Sequence, residues 1–269
     1  MTITDRARYV ALGSSFAAGP GIPSLVHRVA LRSSRNYPHL LASALSLQLT
    51  DLTCSGATTS HLLAEPQHTP TVTLPPQIDG VTPDTALVTV TAGGNDLGYL
   101  GMLTAAALRG SAVRRLGFLP DAVLDRLAGV VEVPGPERFA EVRASLTAVV
   151  EAVRRRAPDA RVVLVDYLTV LGTDATPSVT GLTAAQIEQG RAIATGLAEA
   201  TAGAATTTAG AELLAVSEPN AGHGVGAPEP WITGVELGLP WTGGALPFHP
   251  TLAGMVAVAE RLVALLAAP

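Results

Sequence analysis

The chain has 269 residues, 48% of them hydrophobic and 14% charged, which is enough apolar material for a large core and leaves nothing resembling a disordered tail. All 17 basic residues are arginine, so mechanisms that rely on a Schiff-base lysine or a phosphate-loop lysine are excluded. The net charge of −5 and the scatter of the arginines argue against a nucleic-acid partner, and the one tight run, Arg154-Arg155-Arg156, reads as the solvated end of a helix.

Five apolar runs read as buried parallel strands with helical patterns between them. Tyr9 to Leu12 is the first, followed by a short amphipathic helix over Tyr37 to Leu45 and a second strand over Leu47 to Leu52. Ala86 to Thr91 is the third. The stretch from Leu97 to Pro136 is longer than an ordinary connection and mixes apolar residues with Gly and Pro breaks, as a helical cap would. Glu137 to Arg156 then puts Phe139, Val142, Leu146, Val149, Val150 and Val153 on one helical face. Arg161 to Asp166 is the fourth strand, Thr183 to Ala204 a helix, Glu212 to Val216 the fifth strand and Leu252 to Leu266 the last helix. This alternation predicts a three-layer α/β/α sandwich around a five-stranded parallel sheet, a single domain over residues 1–269 with residues 97–136 as a cap insertion. An irregular segment from Glu218 to Pro247, carrying His223, Trp231 and Trp241, is expected to line or cover a binding site.

In open α/β sheets ligands bind beyond the carboxyl ends of the strands. Three polar motifs fall on that rim: Gly13-Ser14-Ser15-Phe16-Ala17-Ala18-Gly19 after the first strand, Cys54-Ser55-Gly56-Ala57 after the second and Gly93-Gly94-Asn95-Asp96 after the third. Acyl transfer needs an oxygen nucleophile, a base and donors where negative charge develops on the carbonyl oxygen. Ser15 is the expected nucleophile, with its own N–H, the Gly56 N–H and the Asn95 amide as the oxyanion hole. His249, in Leu246-Pro247-Phe248-His249-Pro250 before the last helix, is the expected base, and it reaches the rim if that helix packs beside the first strand. His223 is a candidate substrate contact, and Trp231 offers a flat face on which an acceptor can stack. Cys54 reads as a small apolar filler and Asp166 as a residue that caps or pairs locally.

Neither a metal nor another cofactor is expected, since the six histidines show no recognisable ligand spacing. A lone cysteine and no basic-then-apolar leader point to a cytoplasmic location, and no apolar run is long enough to span a bilayer.

The rim motifs, with Asn36-Tyr37-Pro38, Glu229-Pro230-Trp231 and Phe248-His249-Pro250, resemble the SGNH (GDSL-type) hydrolase superfamily, in particular its Streptomyces esterase-like branch. The resemblance implies a flavodoxin-like SGNH fold with Ser15 as nucleophile, Gly56 and Asn95 as oxyanion donors and His249 as base. The chain departs from the family pattern twice, with Ser14 where an Asp usually precedes the nucleophile and Leu246 where an Asp usually stands three residues before the His. By analogy with that branch, the Leu246 backbone carbonyl is expected to orient His249, with Glu229 or Glu236 as alternative acids. Secreted members of the branch carry disulfides that this chain lacks, which favours an intracellular substrate.

The expected reaction is hydrolysis of a small carboxylic ester with an aliphatic acyl group. The alternative is transfer of that acyl group to a sugar or other alcohol, and a non-catalytic binding module is the competing reading from another class.

Overall fold

The computed structural model describes residues 5–114, 131–208, 210–218, 221–236 and 244–267. Its central sheet has five strands, β1 (Arg8–Gly13), β2 (Gln48–Asp51), β3 (Thr85–Thr91), β4 (Arg161–Val165) and β5 (Ala211–Leu214), all parallel, in the spatial order β2-β1-β3-β4-β5; two short antiparallel pairs, Leu25–His27 with Arg32–Ser33 and Gln67–His68 with Thr73–Leu74, lie outside it. The central strands β1 and β3 are buried on both faces, which is why they read as continuous apolar runs, while the edge strand β2 is half-exposed.

The helices that frame the sheet and the site are α1 (Ser15–Ala18), α2 (Tyr37–Ala44), α3 (Thr59–Leu63), α4 (Tyr99–Arg114), α5 (Pro136–Arg156), α6 (Ala184–Thr207) and α7 (Leu252–Ala267). Right-handed crossovers place helices on opposite faces when the direction of strand progression changes. Here it changes at β1, so α2 packs with α7 on one face, and α5 packs with α6 on the other. The expected three-layer sandwich is thus present, with the order that puts the topological switch point between β1 and β3. The Ser15 motif leaves β1 and the Asn95 motif leaves β3, so both flank that switch point.

The last helix does pack where His249 needs it. Met255 on α7 is fully buried, and its sulfur accepts a hydrogen bond from the Tyr37 N–H at the start of α2, 3.4 Å away. Of the expected cap at residues 97–136, the structure shows α4 and the lead into α5; residues 115–130 lie outside the described residues. No helix among the described residues is long and apolar enough to cross a membrane.

Candidate active site

The turn from β1 into α1 is fixed by an unusually complete set of backbone bonds. Gly13 donates its N–H to Gln77 Oε1 (2.8 Å), and its carbonyl accepts from Gln77 Nε2 (3.1 Å) and from the Cys54 N–H (3.0 Å). A Cβ at Gly13 would lie 2.6 Å from the Thr91 carbonyl oxygen, so only glycine lets β1 and β3 run this close where Ser15 leaves the sheet. Ser14 donates its N–H to the same Thr91 oxygen at 2.9 Å. Its hydroxyl lies 3.0 Å from the Tyr167 hydroxyl, which also accepts the Gly94 N–H at 3.1 Å. The Tyr167 ring packs on Phe16 at 4.6 Å between centroids, and burial pushes its phenol pKa up to about 12, so it stays a neutral strut. Where the family pattern has an aspartate, this chain has a neutral hydroxyl pair.

Two ties hold the loops after β2 and β3 to each other. Asn95 Nδ2 donates to the Ala57 carbonyl at 2.8 Å, leaving its second N–H unspent. The Asp96 carboxylate accepts from the Thr59 N–H (3.1 Å) and the Thr59 hydroxyl (2.5 Å) at the start of α3. Gly56, with φ of +81°, directly precedes these ties in the left-handed conformation that glycine adopts without penalty. Asp51 anchors the same loop from below, accepting from the Thr53 N–H (2.9 Å) and Asn36 Nδ2 (2.8 Å). Burial would raise its pKa, but His39, Arg32, Asn36 and Thr53 outweigh that and hold it below the usual carboxylate range. Cys54 is a buried filler as expected, its thiol pushed up by burial to about 11.

His249 meets Ser15. Its Nε2 is 3.0 Å from Ser15 Oγ, and its Nδ1 is 2.8 Å from the Pro247 carbonyl oxygen. A carbonyl only accepts, so Nδ1 carries the proton and Nε2 presents its lone pair to the Ser15 hydroxyl. That is the tautomer in which an imidazole can take a proton from a serine. Burial holds the His249 pKa below its ordinary value, against the opposing pull of the Pro247 carbonyl.

Two sequence expectations are corrected by this geometry. The carbonyl that orients His249 is that of Pro247, not Leu246; the Leu246 carbonyl is taken by the Thr233 hydroxyl, and the exposed Glu229 and Glu236 have no part in the contact. His223 and Trp231 do not line the cleft that holds Ser15. They stack on each other, with centroids 4.1 Å apart and planes within 2°, and the Arg261 guanidinium lies 5.9 Å from the Trp231 ring centre. His223 Nδ1 is spent on the Glu229 carbonyl at 2.8 Å. Trp241 lies outside the described residues. Asp166, expected to cap or pair locally, instead bonds the chain leaving β5, accepting the Val216 N–H (2.5 Å) and the Ser217 hydroxyl (2.7 Å).

The cleft measures about 420 Å³ and brings together Ser15, Gly56, Asn95 and His249. One wall is the face of α4 that carries Leu100, Gly101, Thr104, Ala105 and Leu108; Leu246 and Pro247 form the opposite edge. Among the described residues, no carboxylate or guanidinium lines it. Cavities of about 510 and 630 Å³ exist elsewhere among the described residues, but neither is lined by a histidine. No group of three or more His, Cys, Asp or Glu side chains among the described residues is arranged to hold a metal ion.

The sequence and the fold have counterparts among known proteins. The model of the GDSL-like lipase/acylhydrolase family matches residues 11–257. The chain belongs to that family. Lipase 2 of Streptomyces coelicolor is 33% identical over 270 residues, covering 96% of this chain and 85% of that protein. The crystal structure of phospholipase A1 from Streptomyces albidoflavus superposes with a TM-score of 0.72 at 25% identity, covering 96% of this chain and 98% of that one. The extracellular lipase of Streptomyces rimosus follows with a TM-score of 0.68 at 26% identity over 97% and 99% of the two chains. As a GDSL-like acylhydrolase the protein is a carboxylic ester hydrolase.

Reading the sequence alone missed Pro247, Thr233, Tyr167 and Gln77. Pro247 belongs to a Pro-x-His-Pro run that restricts the loop around His249, but the run does not say which carbonyl meets the imidazole. The other three act across the fold, with no local pattern to mark them.

Proposed function

We propose that the protein hydrolyses small carboxylic esters with an aliphatic acyl group through a Ser15-linked acyl-enzyme, with His249 as base and then acid. The observation that carries this reading is the 3.0 Å contact between Ser15 Oγ and His249 Nε2 at the floor of an uncharged cleft. Ser15 attacks the ester carbonyl as Nε2 takes its proton, and the imidazolium returns that proton to the leaving alcohol. Water, deprotonated by the same nitrogen, then releases the acid. The Ser15 and Gly56 N–H groups and the free N–H of Asn95 are the donors for the oxyanion. The α4 wall suits a neutral alkyl chain, each buried CH₂ contributing about 0.8 kcal/mol.

Acyl transfer to a sugar loses its structural motive, since the Trp231 face is covered by His223 and lies off the cleft. A cytoplasmic location rests on the lone buried thiol of Cys54 alone, and fractionation of producing cells tests it.

The decisive experiment is hydrolysis of p-nitrophenyl esters of graded acyl length by the wild-type protein and Ser15→Ala. Turnover that rises with chain length and falls by about 10³-fold or more in the variant is expected. Equal rates in the two proteins would end the proposal.

A further inference from the structure

The segment that carries His249 has few ways of satisfying its own backbone. Between Leu246 and Thr251 it contains Pro247 and Pro250, which have no N–H, so the loop's fixed donors are those of Phe248 and His249. Both go to Thr233, that of Phe248 being shared with the Gly234 carbonyl at 3.4 Å. Phe248 donates its N–H to the Thr233 carbonyl (3.2 Å), and His249 donates its N–H to Thr233 Oγ1 (3.0 Å). Thr233 answers with its own N–H to the His249 carbonyl (2.8 Å) and its hydroxyl to the Leu246 carbonyl. Four bonds thus converge on a single threonine. The Ile232–Pro250 bridge continues the same antiparallel pairing.

The threonine hydroxyl also separates two neighbouring acceptors. Leu246 and Pro247 carry adjacent carbonyls, and the hydroxyl bonds the first while His249 Nδ1 bonds the second. Phe248, fully buried with φ of +60°, sits in the left-handed region that a bulky residue seldom adopts, so the loop conformation must be held from outside.

From these contacts we propose that Thr233 is a positioning residue for His249: its hydroxyl anchors the Leu246 carbonyl and grips the His249 N–H, fixing the loop so that Nδ1 meets the Pro247 carbonyl and Nε2 faces Ser15. This rests on the Ser15–His249 reading of the site. Thr233 does not line the cleft and touches no substrate.

Valine has the shape of threonine without the hydroxyl, so Thr233→Val deletes the two side-chain bonds and keeps the two backbone ones. Thr233→Ser restores the hydroxyl. The expected result is a kcat lower by about tenfold to a hundredfold in Thr233→Val with KM within about twofold of wild type, and recovery to within about threefold in Thr233→Ser. Thermal unfolding of each variant checks that it is folded, and the rate at which a fluorophosphonate labels Ser15 reports nucleophile activation separately from turnover. A folded Thr233→Val that keeps wild-type kcat and labelling rate would overturn the proposal, as would a loss confined to KM or a loss that serine fails to rescue. Should Thr233→Val not fold, Thr233→Ala and the serine variant carry the same comparison. Absence of both labelling and turnover in the wild-type protein would instead refute the Ser15–His249 chemistry itself.

Discussion

The two halves of the candidate dyad are held in opposite ways. Ser15 stands at the end of a doubly buried strand, its turn locked by Gln77, Cys54 and Thr91 against the centre of the sheet. His249 stands on a loop outside the sheet, held by Thr233, by a bridge of one residue pair and by a buried phenylalanine in a strained conformation. Ser15 inherits its position from the core; His249 depends on a few bonds from one neighbouring residue. Rigid elements place reacting groups with least tolerance, and a loop reaches comparable order only when its polar groups are fully engaged.

If the sheet side supplies a preformed oxyanion hole, removing one of its donors should hurt turnover more than it hurts the fold. Asn95→Ala is expected to lower kcat by on the order of a hundredfold, about 3 kcal/mol, with a smaller rise in KM, measured on p-nitrophenyl esters. A loss under about threefold would show that Asn95 serves only to hold the Ala57 carbonyl. The elbow itself should answer in stability. Gln77→Leu leaves the buried Gly13 N–H without its partner, and a cost of about 1–3 kcal/mol is expected, visible as a fall in Tm of about 2–4 °C per kcal/mol. Unchanged Tm would mean that the elbow is fixed by the β1–β3 pairing alone.

The loop side should show itself in pH dependence. The base works only when neutral, and burial holds the His249 pKa below its ordinary value of 6.5. The acidic limb of kcat/KM should therefore lie below pH 6.5, with activity retained further into acid than an exposed histidine would allow. The same shift bears on stability: the folded state binds its proton less readily than the unfolded chain, so this contribution is present above the unfolded pKa and is lost as pH falls through the folded one. An acidic limb above 6.5 would mean that the loop opens to water and that His249 is less enclosed than its contacts indicate.

The strands and the long helices were legible in the sequence because apolar period and Gly/Pro punctuation follow local geometry; all five predicted strands and the four predicted helices stand within a few residues of their expected limits. Ser15, Gly56 and Asn95 were legible for a related reason, since a parallel sheet delivers the loop after each strand to one rim, whereas His249 directly follows no strand and meets Ser15 only through the packing of the folded chain. The carbonyl that orients His249 was not, because whether Leu246 or Pro247 is free to accept depends on a threonine that reaches the loop from another segment. The same holds for His223 and Trp231, whose rings satisfy each other by stacking, a pairing that composition does not reveal. Chain pattern by itself thus determined the layers of the fold and the side chains that share its rim. Only the tertiary structure decided how those side chains are oriented, because orientation is set by which long-range donors and acceptors are already spent, and that is settled when the segments pack.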